Sequence, residues 1–468
     1  MKTKSFDVLL LFVLVIARVR IDTLADRLVA PRRVELIQRI PVLGSLLPQK
    51  SLDLLHHWMT DPISLLLITV TFCLLILYIF FDIWRGISQK RRYQAKLAIV
   101  ICIVFTTVVA FSVFSILLRQ VEGPASFTHD GGVIQTEETI KYILAGKNPY
   151  VEDYVDTAMA EWGIEFRTAL YHYPYLPWTF LFSAPFHLVI QATLGWYDQR
   201  FVYLLLFIVT LFLAPRLATD YSHRLCLVMV LGLNPIMGND IIFGQNDVFI
   251  LAWIVFSVYF LTRGRLTWSL VMLGLACASK PTAWLLIPFY LLYLVRQEGS
   301  ALSAARPERN RRVEGFSRGD DIGLLGLSLL RKTVPLILVL ALLLLPFALW
   351  DFNALYDDVW RWSSGTAEIS YQITGWGLAN LVLALGLVES RLDYFPFWIS
   401  ELLVCLPLFL FLLWRQWKRN TVNSMLYYYG FLILVFSYTS RFLNENYLGY
   451  ILALLALAFF IDSSDAAQ

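Results

Sequence analysis

Long runs of apolar residues recur along most of this 468-residue chain. A run of about 17–25 apolar residues has the length of an α-helix that crosses a bilayer. Runs that reach or approach this length are 63–84, 97–118, 178–194, 201–217, 247–262, 334–350, 395–414 and 423–438. Shorter runs are 225–237, 267–279, 283–295, 376–389 and 447–461. The pattern predicts an all-α polytopic membrane helix bundle of about 11–13 spans, with 376–389 either crossing or re-entrant.

The N-terminal apolar run, 6–17, is too short to be assigned on length alone. It is compatible with a span, with an interfacial helix or with a signal-like segment. It is followed by no A-x-A cleavage site, so we expect it to remain on the protein.

Composition agrees with a membrane protein. Hydrophobic residues make up 58% of the chain and charged residues 16%, and the mean hydropathy is +0.64. Soluble, coiled-coil and disordered proteins carry more charge than this. The net charge of +3 gives no reason to expect nucleic acid as a partner, and the five cysteines all lie inside apolar runs, where they are expected to pack as small apolar residues.

The charged residues predict an orientation. Lys and Arg are enriched in cytoplasmic loops of membrane proteins. Segment 85–96 has five basic residues and no acid, whereas loop 119–177 has four basic and nine acidic residues. We therefore expect 119–177 outside. The other segments placed inside are 263–265, 296–333 and 415–420, and the others placed outside are 351–375 and 439–446.

Two features do not fit this predicted orientation. Stretch 18–62 is rich in basic residues, yet alternation places it outside if 6–17 spans. Loop 119–177 and the turn at 239–247 are both expected outside, so an even number of spans must separate them. Three apolar runs lie between them. We expect 225–237 to be the re-entrant one, because Asn234-Pro235 interrupts it.

The chain divides into four parts on this basis. They are an N-terminal extension with one or two extra membrane helices (1–96), a core with the large outer loop (97–295), a cytoplasmic Arg-rich loop (296–333), and C-terminal membrane helices (334–468). The outer loop of the core is the longest, and long loops of this kind usually carry function.

The first candidate site is His129-Asp130-Gly131-Gly132, just beyond span 97–118. Two glycines after a carboxylate allow a substrate to approach the backbone closely. Asp130 is a candidate general base, and a solvated acidic turn ahead of the amphipathic helix 133–145 is the plainer interpretation. Glu137 lies on that helix, which ends at a Gly-Lys-Asn-Pro-Tyr turn containing Tyr150.

Two further candidates combine aromatic, acidic and amide side chains. The segment 171–178 includes Tyr173, and it is either an interfacial aromatic belt or a surface on which a sugar stacks. The turn 239–247 holds two acids and two amides between apolar runs, which is costly at membrane depth unless they have a role. Capping of the helix at 247–262 would account for one of them.

Two basic residues lie in turns that are predicted to be outside. Lys280, in Ser-Lys-Pro-Thr, either snorkels to the interface or pairs with a phosphate. Arg441, near Asn444, either pairs with Glu445 along a helix or binds an anion. Together these turns could form a site for a polar, phosphate-bearing substrate at the membrane surface.

The order of these motifs resembles the C-superfamily (GT-C fold) of membrane glycosyltransferases, in particular the polyprenyl-phosphate-sugar-dependent enzymes of glycosyltransferase family 87, which are related to mannosyltransferases. The matching stretches are HDGGVIQTEETIKYILAGKNPY, YPYLPW, and the block from NPIMGNDIIFGQND to ACASKPTAWLLIPFYLL. They cover roughly 97–295. Asp130 matches the family's loop acid, and Gln245 and Lys280 match its G-Q and K-P positions.

The resemblance implies an inverting transfer of mannose or another hexose or pentose from a polyprenyl monophosphate to a glycan, lipid or protein acceptor. The site would face outside at the plasma (inner) membrane, with Asp130 as base and Lys280, Arg441 and Asn444 at the donor phosphate. Candidate substrate-binding residues are His129, Glu137, Tyr150, Tyr173, Asp240, Gln245, Asn246 and Asp247. No cofactor is expected, and since His129-Asp130 replaces the D-x-D pair of some relatives, a divalent metal has no support in the sequence.

Other functions remain open at this point. A lipid or sugar flippase would have charges buried in mid-span and an inverted repeat. The charges here cluster in turns and no repeat is visible, which favours an enzyme. A glycan polymerase or ligase and a non-catalytic scaffold subunit are further alternatives.

Overall fold

A computed structural model describes residues 6–46, 61–84, 86–126, 128–163, 167–305 and 318–462. The described residues are almost entirely helical, which confirms the predicted all-α bundle. They form two compact units. The first unit comprises Met1–Tyr173, Phe180–Ala252 and Leu448–Ala456; the second comprises Pro174–Thr179, Trp253–Tyr447 and Leu457–Gln468.

The helices of the N-terminal half follow the apolar runs closely. They are α1 (Phe6–Arg39), α2 (Pro41–Leu46), α3 (Pro62–Ile83), α4 (Gln89–Val104), α5 (Ala110–Glu122), α6 (Gly131–Leu144), α7 (Trp178–Leu194), α8 (Arg200–Leu213), α9 (Tyr221–Gly232), α10 (Pro235–Phe243) and α11 (Asp247–Thr262). A π-helical turn, Phe105–Val109, joins α4 to α5. Short 3₁₀ turns are Ala158–Glu161, Arg167–Leu170 and Ala214–Leu217.

The C-terminal half continues with helices and one minimal sheet. The helices are α12 (Leu266–Cys277), α13 (Ile287–Ala305), α14 (Arg318–Trp350), α15 (Phe352–Tyr356), α16 (Trp362–Ser364), α17 (Leu378–Ala384), α18 (Phe397–Ser400), α19 (Leu406–Lys418), α20 (Val422–Thr439) and α21 (Glu445–Phe460). A 3₁₀ turn is Pro281–Leu286, and π turns are Asp357–Arg361 and Glu401–Cys405. Strands β1 (Thr374–Gly375) and β2 (Phe442–Leu443) pair in parallel, with Thr374 opposite Phe442. The central part of the predicted Arg-rich loop, 306–317, lies outside the described residues.

Length and apolarity single out fewer spans than expected. Among the described residues, five helices are long and apolar enough to cross a membrane: Pro62–Ile83, Gln89–Glu122, Arg200–Leu217, Ser328–Trp350 and Phe397–Lys418. Joining α9 and α10 across their 45° bend adds a sixth. Helices such as α12 are apolar but short. The protein is thus a multi-pass membrane bundle, although these criteria do not reproduce a count of 11–13.

Helix α1 contacts the middle of α4 and the second half of α5. Near its start, Asp7 accepts a hydrogen bond from Lys96 Nζ, in the middle of α4, at 2.7 Å. Near its end, Leu36 and Ile37 pack with Phe114 and Leu118 of α5. The run 6–17 is therefore the first part of one long helix, and part of the basic stretch 18–62 lies on that helix rather than in a single loop.

Helices α9 and α10 together cross the first unit from end to end. The Tyr221 ring, at the start of α9, stacks on Tyr93 in α4 at a centroid distance of 4.5 Å. At the other end, Phe243 O accepts a hydrogen bond from Asp130 N at 2.7 Å, beyond the end of α5. The structure therefore differs from the expectation that 225–237 is re-entrant; Pro235 bends this helix pair without turning it back.

Helix α7 is the apolar segment that does not cross. In its first turn, Phe180 packs on Tyr150 of loop 119–177 at a centroid distance of 6.3 Å. Just after its end, Asp198 binds Arg119, in the last turn of α5, at 2.9 Å. Both ends of α7 thus lie at the end of the unit that carries the loop, which removes the parity conflict.

Candidate functional site

Asp130 lies at the start of α6, as its N-cap. Its Oδ1 accepts a hydrogen bond from Gly132 N–H at 2.8 Å, and its backbone is extended (φ −73°, ψ 150°). A Cβ added to Gly131 would lie 2.9 Å from the Trp162 ring, so this turn requires a glycine. The N-cap role agrees with the plainer interpretation of Asp130, and it also fixes the direction of the carboxyl group.

The Gly244 turn packs against the start of α6. Gly244 ends α10 with φ +88°, a conformation that favours glycine. A Cβ here would overlap Val133 of α6 and lie 2.8 Å from Arg200 Cγ. The structure therefore brings Gln245, which follows this glycine, next to Asp130, where its side-chain amide favours the ionised form of the Asp130 carboxyl and lowers its pKa.

Asp130 sits in an environment that favours its protonated form more than water does. Burial raises the pKa of Asp130, and the nearby Asp247 carboxylate raises it further. The hydrogen bond from Gly132 N–H and the nearby Gln245 amide oppose this rise. A half-buried carboxyl group with a raised pKa has the properties of a general base.

A buried cluster of four charges lies beneath this turn. Arg119 donates to both carboxylate oxygens of Glu137 at 2.8 Å and to Asp198 at 2.9 Å. Arg200 donates twice to Asp198 at 2.8 Å. Burial alone would raise the pKa of Asp198, but the Arg200 and Arg119 guanidinium groups lower it below its usual range. The two positive and two negative charges compensate each other.

Arg200 also links the two turns directly. Its Nη1 donates to Thr128 O at 2.9 Å and to Ile242 O at 3.0 Å. The start of α6 and the end of α10 are therefore held by one guanidinium group. The sequence analysis did not identify Arg119, Asp198 and Arg200 as residues that form the site. Their position at the ends of apolar runs could have identified them, because membrane proteins rarely place charged residues there without a role.

His129 is buried beside this cluster. Burial lowers the pKa of His129 to about 4, and Arg119 and Arg200 add to the effect. Its Nε2 and Nδ1 lie 2.8 and 2.7 Å from the backbone oxygens of Pro124 and Asp130. Both ring nitrogens of His129 therefore contact backbone oxygens of its own turn.

The other candidates in the first unit are mostly buried. Tyr150 and Tyr173 pack together with Phe180 at centroid distances of 5.8–6.3 Å. Asp240 is 4% exposed in α10, and its backbone oxygen accepts from Gln245 N at 2.8 Å. Asn246 and Asp247 are likewise buried.

Lys280 lies in the second unit. The backbone of 176–178, from the YPYLPW motif, donates to the carbonyls of 278–279 at 3.0 Å. The Lys280 ammonium group lies 4.7 Å from the centroid of the Tyr447 ring. Two separate motifs, YPYLPW and SKPT, are thus joined by backbone hydrogen bonds.

Arg441 is almost fully buried in the second unit. Its guanidinium group donates to the backbone oxygens of Tyr371, Arg391, Leu392 and Asp393 at 2.5–3.4 Å. Burial lowers its pKa to about 10, which leaves it protonated at neutral pH. Asn444 Nδ2 donates to the Tyr371 hydroxyl at 3.2 Å. In this structure, Arg441 and Asn444 bind Tyr371, in the loop after α16, and Arg441 also binds residues 391–393, after α17.

The chain is similar to one known family over part of its length. Residues 141–296 match the family described as alpha-(1->6)-mannopyranosyltransferase, N-terminal domain. The matched third of the chain includes Gln245 and Lys280 and begins after Asp130. No curated protein matches the chain. The match over this third of the chain supports a glycosyltransferase enzyme similar to mannosyltransferases, and the apolar helices support a multi-pass membrane protein.

Proposed function

We propose that the protein transfers a sugar, mannose in the first instance, from a polyprenyl monophosphate to a hydroxyl group of a glycan, lipid or protein acceptor. The observation that carries this proposal is the Asp130 carboxyl group, which α6 and the Gly244 turn hold in a half-buried position with a raised pKa. A family match to mannopyranosyltransferases supports the choice of sugar.

Asp130 is the general base in this proposal. It accepts the proton of the acceptor hydroxyl while the oxygen attacks the anomeric carbon. The bond between that carbon and the phosphate oxygen breaks, and the polyprenyl phosphate leaves with the electron pair. A single displacement inverts the anomeric configuration. Gln245 lies beside the carboxylate and favours its ionised form.

Lys280 supplies positive charge for the leaving phosphate. An ammonium group near a developing phosphate anion stabilises the transition state. Arg441 and Asn444 act with it by shaping the loop that they hold through backbone and hydroxyl contacts. We place the reaction at the outer face of the plasma membrane, because loop 119–177 is acid-rich and carries the base.

The test is the variant Asp130→Asn. Asparagine caps helices about as well as aspartate, so the hydrogen bond to Gly132 N–H is kept while the proton acceptor is lost. Membranes that contain the full chain are incubated with radiolabelled polyprenyl-phosphate mannose, and the products are separated. Transfer is expected to fall about 10²–10⁴-fold.

Asp220→Asn is the matched control. Asp220 is the N-cap of α9, where it accepts hydrogen bonds from Ser222 and His223, at the opposite end of the first unit. This variant is expected to retain full activity. Unchanged transfer by a folded Asp130→Asn protein would contradict the assignment of the base, and no transfer by the unmodified protein would contradict the donor class.

A further inference from the structure

An arginine is buried deep inside the first unit. Arg18, on helix α1, is 0% exposed. It contacts Thr107 and Pro235, and both of these lie well inside segments that are long and apolar enough to cross a membrane, Gln89–Glu122 and the bent pair α9–α10. The sequence analysis expected the charged residues to gather in turns, and Arg18 differs from that expectation. Membrane proteins seldom keep a charged side chain at this depth without a role.

The Arg18 guanidinium group binds backbone oxygens of two neighbouring segments. Its Nη1 donates to Pro235 O at 3.1 Å, and its Nη2 donates to Thr107 O at 3.4 Å. Thr107 lies in the π-helical turn Phe105–Val109, and Pro235 lies at the 45° bend between α9 and α10. Both oxygens thus belong to irregular places in their helices, where a side chain can insert against the backbone. One guanidinium group therefore ties the start of α10 to the turn between α4 and α5.

The first turn of α10 is closely packed. A Cβ added to Gly238 would lie 3.2 Å from Arg18 Cζ and Nε, so this glycine leaves the space that the guanidinium group fills. A Cβ added to Gly449 of α21 would lie 2.8 Å from Met237 N. Asn234 Nδ2, at the N-cap of α10, donates to Gly449 O at 2.7 Å. Contacts with α1 and α21 thus leave the start of α10 little freedom to slide.

Helix α10 connects Arg18 to the turn that carries the proposed base. It has nine residues, which is about 13 Å along a helix axis. At its far end, Phe243 O accepts a hydrogen bond from Asp130 N at 2.7 Å. The Gly244 turn that follows places Gln245 beside the Asp130 carboxyl group. A shift of α10 along its axis would therefore move both of these neighbours of Asp130 together.

We propose that Arg18 is a positioning residue for the transfer reaction, because it fixes the start of α10 and thereby sets where Phe243 O and Gln245 lie against Asp130. Arg18 acts through α10 and not on the reacting atoms. The proposal rests on the proposed function, in which Asp130 is the base. It gives the N-terminal extension (1–96), which lies outside the family match at 141–296, a part in forming the site.

The first test measures backbone hydrogen exchange in the purified full-length protein, without substrate. Arg18→Met keeps a long side chain but removes the donors. Exchange is expected to rise about tenfold in segments 128–133 and 239–246, because Asp130 N and Gln245 N are held by oxygens of α10. A rise confined to the residues around Arg18, Thr107 and Pro235 would show a merely local role and would overturn the proposal.

Lys96→Met is the matched control. Lys96 is also a buried basic residue that holds α1, since it pairs with Asp7 at 2.7 Å, and its other ion-pair partner, Asp82, lies on α3. This variant should destabilise the protein but leave exchange in 128–133 unchanged. Equal rises in the two variants would assign the effect to loosening of α1 in general, against the proposal. If Arg18→Met does not fold, Arg18→Lys, which keeps a donor, replaces it, with a smaller rise expected in the same two segments.

Transfer assays then separate positioning from substrate binding. For equal amounts of folded protein, Arg18→Met should lower kcat about 10- to 100-fold with the donor KM unchanged, and Arg18→Lys should recover part of this loss. Combined with Gln245→Leu, Arg18→Met should have a smaller effect than alone. Fully multiplicative losses, or a change in KM alone, would contradict positioning through α10. Absence of transfer by the unmodified protein would refute the proposed function, whereas the exchange result would still decide whether Arg18 positions the Asp130 turn.

Discussion

The buried charge cluster allows a sharp test through the variant Glu137→Gln. The side chains of Arg119, Glu137, Asp198 and Arg200 are 0–10% exposed, and their charges sum to zero. Replacing Glu137 keeps the size of the side chain but leaves one positive charge uncompensated. Removing one partner of a buried ion pair costs about 3–5 kcal/mol, so the free energy of unfolding should fall by that amount. It is measured on the purified chain by tryptophan fluorescence during titration with sodium dodecyl sulfate.

Loop 119–177 contains a matched control for this variant. Glu152 pairs with Lys147 at 2.8 Å, as closely as Glu137 pairs with Arg119, but these side chains are 28% and 53% exposed. Glu152→Gln should cost only about 0–1 kcal/mol. The double variant Arg119→Gln/Glu137→Gln restores neutrality and should lose less than the sum of its parts. If Glu137→Gln lowers the free energy of unfolding no more than Glu152→Gln does, the buried cluster does not stabilise α6.

Two further predictions concern the turn at Asp130. Since activity requires the ionised carboxylate, it should fall as the pH drops through the pKa of Asp130. Asp247→Asn removes a charge that raises this pKa and should move the acidic limb of kcat/KM to lower pH. Gln245→Leu removes a polar side chain that lowers this pKa and should move the acidic limb to higher pH. Shifts in the same direction would refute the electrostatic account. Gly244→Ala should destabilise the protein and lower transfer more than Gly264→Ala does. Both glycines have a positive φ, but of the two only Gly264 has open space for a Cβ. Similar unfolding free energies and transfer rates for the two variants would show that close packing at Gly244 is unimportant.

The topology shows why run length alone misplaces a re-entrant segment. Runs 178–194 and 225–237 are both apolar, and the proline in the second suggested that it turns back. Whether a helix crosses the first unit depends on which residues its two ends contact. Asp198 binds Arg119 at the loop end of the first unit, whereas Tyr221 stacks at the opposite end from Phe243. Such contacts join residues far apart in the chain, so periodicity does not reveal them.

The sequence by itself determined the class of the protein, the positions of most helices and the turns in which charges gather, because each of these depends on local apolarity. It also singled out Asp130 and Gln245 through short motifs. Only the tertiary structure decided that these two residues meet, since the meeting depends on Gly244 packing against α6. The structure also decided that Glu137 is neutralised by Arg119, eighteen residues away, and this pairing depends on which faces of α5 and α6 are buried together.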